Sequence, residues 1–217
     1  MTDMNQQAPI QRWQTLPPDQ IRTDLQLVAD LVKEGSRVLD VGCGDGALLD
    51  HLTQYKGVDG RGIEINPSRV NACVSQGLSV IQGNAETDLK DYPSEAFDYV
   101  ILGLTLQSIH DPRQIITEFL RIGKRAIVSI TNFGYWRVRC QLLFQGRMPV
   151  SDADEHDWCN TDNIRLCTIR DFVILCDELG ITIERCFTVG HSGRTREVRP
   201  TSLLANLLGE QAVFVLA

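Results

Sequence analysis

The sequence predicts an α/β fold built as a mostly parallel sheet of seven strands with helices on both faces. Two observations predict it. Strand-like and helix-like segments alternate strictly along most of the chain, and a glycine-rich turn, VLDVGCGDG at residues 38–46, joins the first strand to a helix. Size and composition agree: 217 residues, 43% of them hydrophobic, suit one globular unit able to bury a core.

The elements follow in order. Ile21, Leu25, Val28 and Leu31 or Val32 recur at helical spacing, and Gly35 ends that helix. The β-branched and apolar run 37–41 is a buried strand, and 47–54 reads as a helix. RGIEI (61–65) is a second strand, after which Asn66-Pro67 opens a helix with proline in its first turn. LSVIQ (78–82) and FDYVILG (97–103) are the third and fourth strands. Asp111-Pro112 starts another helix that runs to Arg121, and RAIVSI (125–130) is the fifth strand. A helix at 170–180 with a glycine stop and two strands at 181–189 and 210–217, expected to pair antiparallel, complete the set. Residues 131–169 break the rhythm, being too long for an ordinary connection and too rich in aromatic and apolar residues for disorder.

Charge and composition narrow the partners. A net charge of −7 argues against nonspecific binding to nucleic acid or to an anionic membrane, and no apolar run approaches the length of a membrane span. The first residues lack the basic and apolar regions of a secretory signal. Residues 1–18, polar and carrying Pro17-Pro18, read as a loose N-terminal arm in which only Trp13 hints at docking, and residues 19–217 read as the domain. Seven cysteines without a CxxC pair suggest small buried hydrophobes in a reducing cytoplasm, not a disulfide framework. His156, Cys159 and Cys167 match no familiar zinc spacing, so no metal is expected.

The glycine turn lies between a strand and a helix, the context that gives such a motif meaning. Gly42, Gly44 and Ala47 satisfy the Rossmann-like pattern G-x-G-x-x-A, and Glu64 stands about 20 residues on, where an acidic side chain meets ribose hydroxyls. Both features suit a dinucleotide and S-adenosylmethionine alike. The aspartates separate the two. A dinucleotide sets its pyrophosphate on the helix N-terminus, and Asp40 and Asp45 oppose that charge. S-Adenosylmethionine has no phosphate and carries an ammonium that Asp40 can attract directly or through water.

VLDVGCGDG with GIEI (62–65) resembles the first two motifs of class I S-adenosylmethionine-dependent methyltransferases. QGNAE (82–86) lies where that family contacts the adenine, and FDYVILGLTLQSIHDP (97–112) resembles its fourth-strand motif. The resemblance implies cofactor contacts at Asp40, Gly42, Cys43, Gly44, Glu64, Ile65, Asn84, Ala85 and Gly103, for S-adenosylmethionine or S-adenosylhomocysteine. A narrower resemblance runs from about Ile21 to Phe214. TNFGYWRVR (131–139), GRMPVS (146–151), WCNTDNIRLCT (158–168) and NLLGE (206–210) are similar to the MetW-like methionine-biosynthesis proteins. Asp162 and Arg165 stand where that family has proline and histidine, and Asn84 and Glu86 where it has aspartates. The resemblance implies a companion of homoserine O-acetyl- or O-succinyltransferase whose own catalytic activity is open. Such a protein can sense the pathway's downstream product, S-adenosylmethionine. The alternative is a catalytic methyltransferase acting on a small acceptor.

No residue commits to catalysis. Methyl transfer needs mainly in-line positioning, so a missing base does not exclude it. Gln107-Ser108 stands where related small-molecule methyltransferases often carry histidine; His110 suits a base but reads rather as a helix-entry residue, His51 as part of a helix and His191 as solvated. The acidic cluster Asp152, Asp154, Glu155 and Asp157 reads as a solvated loop, and Arg194, Arg196 and Arg199 as a solvated rim. Between Phe133 and Phe144, aromatics and aliphatics punctuated by Arg137 and Arg139, with Arg147 following, have the composition of interface anchors. They equally suit a lid over the ligand, so 131–169 is expected to be an inserted partner or lid segment.

Overall fold

The structure, a computed structural model, describes residues 21–148 and 164–217. The arm at 1–18 with Trp13, and the part of the long segment that holds Asp152, Asp154, Glu155, His156, Asp157, Trp158, Cys159 and Asp162, lie outside the described residues.

The expected alternation is present. In chain order come α1 (Thr23–Leu31), β1 (Arg37–Val41), α2 (Ala47–Lys56), β2 (Asp59–Glu64), α3 (Pro67–Ser75), β3 (Val80–Gln82), α4 (Ala85–Asp88), β4 (Phe97–Gly103), α5 (Pro112–Ile122), β5 (Gly123–Thr131), α6 (Trp136–Gln145), α7 (Ile169–Glu178), β6 (Ile183–Val189), β7 (Thr195–Glu197), α8 (Leu203–Leu208) and β8 (Gln211–Leu216). They form one sheet in the order β3-β2-β1-β4-β5-β8-β6-β7. The first five strands are parallel, and β8 lies antiparallel between β5 and β6. Among the described residues eight strands stand where the sequence predicts seven. The addition, β7, is three exposed residues on the sheet edge, too short and too polar to leave a period-two signal.

Both faces of the central strands are buried, as helices on either side of a parallel sheet require. In β4, Val100 and Leu102 enter the core beneath α5 and α7 with Phe119 and Phe172. Tyr99 and Ile101 point the other way, toward Val28 and Leu52 of α1 and α2. Helix starts are set by local chemistry. Asn66 accepts from the Ser68 amide ahead of α3, Asp111 accepts from the Arg113 and Gln114 amides ahead of α5, and Thr168 and Asp171 form a reciprocal capping box on α7.

The antiparallel half is fastened by Asn132, which follows β5. Its amide Nδ2 donates to the carbonyls of Asn206 (2.9 Å) and Gly209 (2.7 Å) around α8. Its Oδ1 accepts from the amides of Gly134 (2.9 Å) and Ile169 (3.2 Å). One buried side chain thus satisfies backbone groups at the start of α7, at α8 and just before α6. A Cβ at Gly134 would stand 2.7 Å from Asn206 Oδ1, so only glycine fits there. Replacing Asn132 by alanine leaves four backbone groups short of a partner in the interior. The expected loss is about 3 kcal/mol, read as a lower urea midpoint with unchanged slope. A midpoint equal to wild type would show that water replaces the amide.

Candidate functional site

In open α/β sheets ligands sit at the carboxyl edge where the strand order reverses, here between β1 and β4. The glycine turn occupies that point. The amides of Gly42 and Cys43 both donate to the Ile63 carbonyl (2.8 and 3.2 Å), tying the turn to β2, and Gly46 returns to the Cys43 carbonyl (3.0 Å). Gly42 and Gly46 have φ of +70° and +81°, and both are crowded. A Cβ would lie 3.0 Å from Thr105 Oγ1 at the first and 2.5 Å from Leu78 Cδ1 at the second. At Gly44 a Cβ would meet nothing within 4 Å, so this backbone faces open space that a ligand can approach.

Three carboxylates surround the turn in different states. Glu64, buried at the end of β2, accepts from the Gly44 amide through Oε2 and from the Asn66 amide through Oε1, both at 2.9 Å. Asp45 is exposed, and its Oδ1 accepts from the Ala47 amide (3.2 Å). A carboxylate therefore caps the N-terminus of α2, where a dinucleotide would set its phosphates. Asp40, at 3% exposure, receives no hydrogen bond from any described residue. Burial first, then the negative charges of Glu64 and Asp45, push its carboxyl up to about 7. A buried carboxylate in that state is a site for a cation.

The other expected residues gather on the same edge. Ile65 follows Glu64 with its side chain largely exposed. Asn84 caps α4 by accepting from the Glu86 amide (3.0 Å), and Ala85 begins that helix beside β2, whose Glu64 carbonyl accepts from the Gly83 amide (3.1 Å). Gly103 ends β4, and its carbonyl accepts from Thr105 Oγ1 (2.9 Å), the hydroxyl that abuts Gly42. Leu104 between them holds φ at +53°, unusual for a side chain of its size, with its amide donating to Ser129 Oγ (2.8 Å). Thr105 and Ser129 shape this edge and carried no sequence signal, because their partners come from other strands.

Gln107 is buried; its Nε2 donates to the Thr131 carbonyl (2.8 Å), its main-chain carbonyl accepts from the amides of Ile164 and Arg165 (both 2.9 Å), and its Oε1 has no partner among the described residues. His110 Nδ1 pairs with Glu86 Oε2 (2.9 Å), and the same carboxylate accepts from the amides of His110 and Asp111. His51 is buried against Tyr55, and His191 lies 3.4 Å from Glu210. Burial raises the thiols of Cys43 and Cys73 and pushes Cys167, Cys176 and Cys186 up to about 12, so these cysteines act as small hydrophobes. A separate depression of about 390 Å³ opens at the opposite edge near Lys33, Ser36 and Lys124. Within it Asp98 accepts from the Arg37 amide (2.9 Å) and from Lys124 Nζ (2.8 Å).

Comparison with known proteins agrees with this geometry. A family model described as "Methionine biosynthesis protein MetW" matches residues 22–216. The chain is 32% identical over 173 residues to a "Bifunctional methionine biosynthesis protein MetXA/MetW" of Rhodopirellula baltica, covering 76% of this chain and 28% of that protein. It is 31% identical over 195 residues to a demethylmenaquinone methyltransferase of Bacillus mycoides, covering 79% of this chain and 81% of that one. The crystal structure of a SAM-dependent methyltransferase from Thermotoga maritima superposes with a TM-score of 0.65 at 19% identity, covering 90% of this chain and 87% of that one. The fold is thus that of the class I methyltransferases.

The state of Asp40 sets a pH dependence. Its folded pKa lies above the unfolded one, so the stability it contributes is present below about pH 4 and is lost as pH rises through 7, an effect on the order of 3 kcal/mol. Asp40→Asn removes that dependence. Urea midpoints of the ligand-free protein at pH 5 and pH 8 are expected to diverge for wild type and to stay together for the variant, which is the more stable at pH 8. Parallel profiles would show a solvated Asp40.

Proposed function

The chain belongs to the MetW family of methionine biosynthesis proteins, and from that premise we propose that it binds S-adenosylmethionine at the glycine turn and regulates a homoserine O-acyltransferase as its partner in the cytoplasm. The observation that carries the ligand is the buried carboxylate of Asp40, which receives no hydrogen bond from a described residue. The ammonium of the methionyl group answers it, and no phosphate competes with Asp45. Glu64 uses one acceptor position on each oxygen for backbone amides and keeps another for ribose hydroxyls. Ile65, Asn84 and Ala85 take the adenine side; Gly42, Cys43, Gly44 and Gly103 let the backbone come close. S-Adenosylhomocysteine, which keeps the same ammonium, binds by the same contacts. The ligand itself supplies the activated methyl group.

The partner reading rests on the Rhodopirellula baltica relative, whose name joins MetXA and MetW in one chain. The alternative, methyl transfer to a small acceptor by this chain, draws on the resemblance to the Bacillus mycoides methyltransferase. No side chain decides between the two: methyl transfer needs mainly positioning, the Gln107 amide is not a base, and the Glu86 carboxylate engages only Nδ1 of the exposed His110 ring.

The test combines the purified chain with homoserine O-acyltransferase from the same organism. The acyltransferase rate is expected to change on addition of this chain and to change again, on the order of fivefold, when S-adenosylmethionine is present, without formation of S-adenosylhomocysteine. An unaltered rate would sink the regulatory reading. S-Adenosylhomocysteine accumulating with a methylated acceptor would favour the alternative.

A further inference from the structure

The segments that mark this family apart from ordinary methyltransferases, TNFGYWRVR and NLLGE, carry no part of the glycine-turn site, yet they build two helices with a shared peculiarity. In α6 no residue is buried, although its sequence is WRVRCQLLFQ. Leu143 and Phe144 are 76% and 78% exposed, and Trp136 and Leu142 are exposed as well. In α8, Leu203 and Leu204 are 74% and 66% exposed, with Leu208 also open to solvent. A ten-residue helix is marginal in water without packing against something. Single exposed leucines need no explanation, but a helix with no fully buried residue and a second helix that exposes most of its leucines do.

Both helices spring from Asn132, which bonds to Gly134 just before α6 and to Asn206 and Gly209 at α8. Asn132 thus brings the start of α6 to the end of α8, where β5 and β8 pair at Thr131 and Gln211. Residues 136–148 contain Arg137, Arg139 and Arg147 and no carboxylate, in a chain of net charge −7. Arg137 lies over the Trp136 ring at 5.6 Å, the aromatic–guanidinium pairing common in interface anchors. A matching surface is apolar at its centre with carboxylates around it.

We propose that α6 and α8 form the surface on which the homoserine O-acyltransferase docks, an inference that rests on the partner reading above. The relative that joins MetXA and MetW in one chain favours this occupant. Covalent linkage holds two modules at a high effective concentration, a condition that suits a direct contact between them. The surface lies outside the ligand contacts, so a docked acyltransferase and a bound S-adenosylmethionine coexist.

The experiment measures binding of the purified acyltransferase to wild type and to two double variants, L143E/F144E on α6 and L203E/L204E on α8, by titration calorimetry. Sedimentation of each chain alone and S-adenosylmethionine titration serve as controls. Because all four side chains are exposed, the variants are expected to fold and to keep wild-type affinity for S-adenosylmethionine, while each loses about tenfold or more in affinity for the acyltransferase. Undiminished binding by both variants overturns the docking surface and leaves the partnership standing. Failure of wild type itself to bind overturns the partnership and the surface with it. Self-association of wild type that the same substitutions abolish, with acyltransferase binding retained, assigns the surface to a second copy and overturns the proposal.

Discussion

Glu64 is the constraint on which the crevice depends. Its two oxygens hold the Gly44 and Asn66 amides, so one side chain fixes the glycine turn against β2 and sets the entry to α3. With the turn fixed, Asp40 at the end of β1 is buried beside a second carboxylate and left without a donor. Two buried carboxylates in one crevice are tolerable only when one is satisfied by backbone amides and the other is protonated or matched by a cation. Burying Asp40 at the switch point therefore costs the protein stability when that carboxyl is ionised.

A second framework runs from the crevice to the far end of the sheet. Glu86, two residues after Asn84, bonds the amides of His110 and Asp111, and the His110 carbonyl accepts from Arg165 Nε (2.7 Å). The Gln107 carbonyl holds the Ile164 and Arg165 amides, the Cys167 carbonyl accepts from the Phe133 amide (3.1 Å), and Asn132 joins α7, α8 and the approach to α6. The strip 164–168 therefore lies between the Glu86–His110 end of the crevice and the segments that lead into α6, α7 and α8. A regulator that reads a ligand at one place and touches a partner at another needs such continuity of contacts, whatever amplitude of motion uses it.

The parts of the fold legible in the sequence are those whose cause is local. The strands carry the period or the apolar run that burial on both faces demands, the caps at Asn66 and Asp111 sit where proline follows, and the turn at 42–46 announces itself by glycine. The charge reading of Asp45 was legible for the same reason, since its carboxylate lies on the helix that follows it. What escaped depends on distant partners or on no burial. Asn132 acts on residues more than seventy positions away, and nothing in TNFG shows that an asparagine there will organise three helices. β7 is three exposed residues, and α8 is too short and too uniformly leucine-rich for its face to be read. The composition of α6 was legible, but which side it would bury was not, because it buries none.

In the proposed complex Asp40 gives up a proton to receive the ammonium of S-adenosylmethionine. Calorimetric titration of S-adenosylmethionine into the purified chain at pH 7, in two buffers of different ionisation enthalpy and beside Asp40→Asn, tests this. Binding is expected with an apparent heat that differs between the buffers by a fraction of a proton released, and both the binding and the release are expected to be lost in the variant. Binding that survives Asp40→Asn, or that releases no proton, would contradict it.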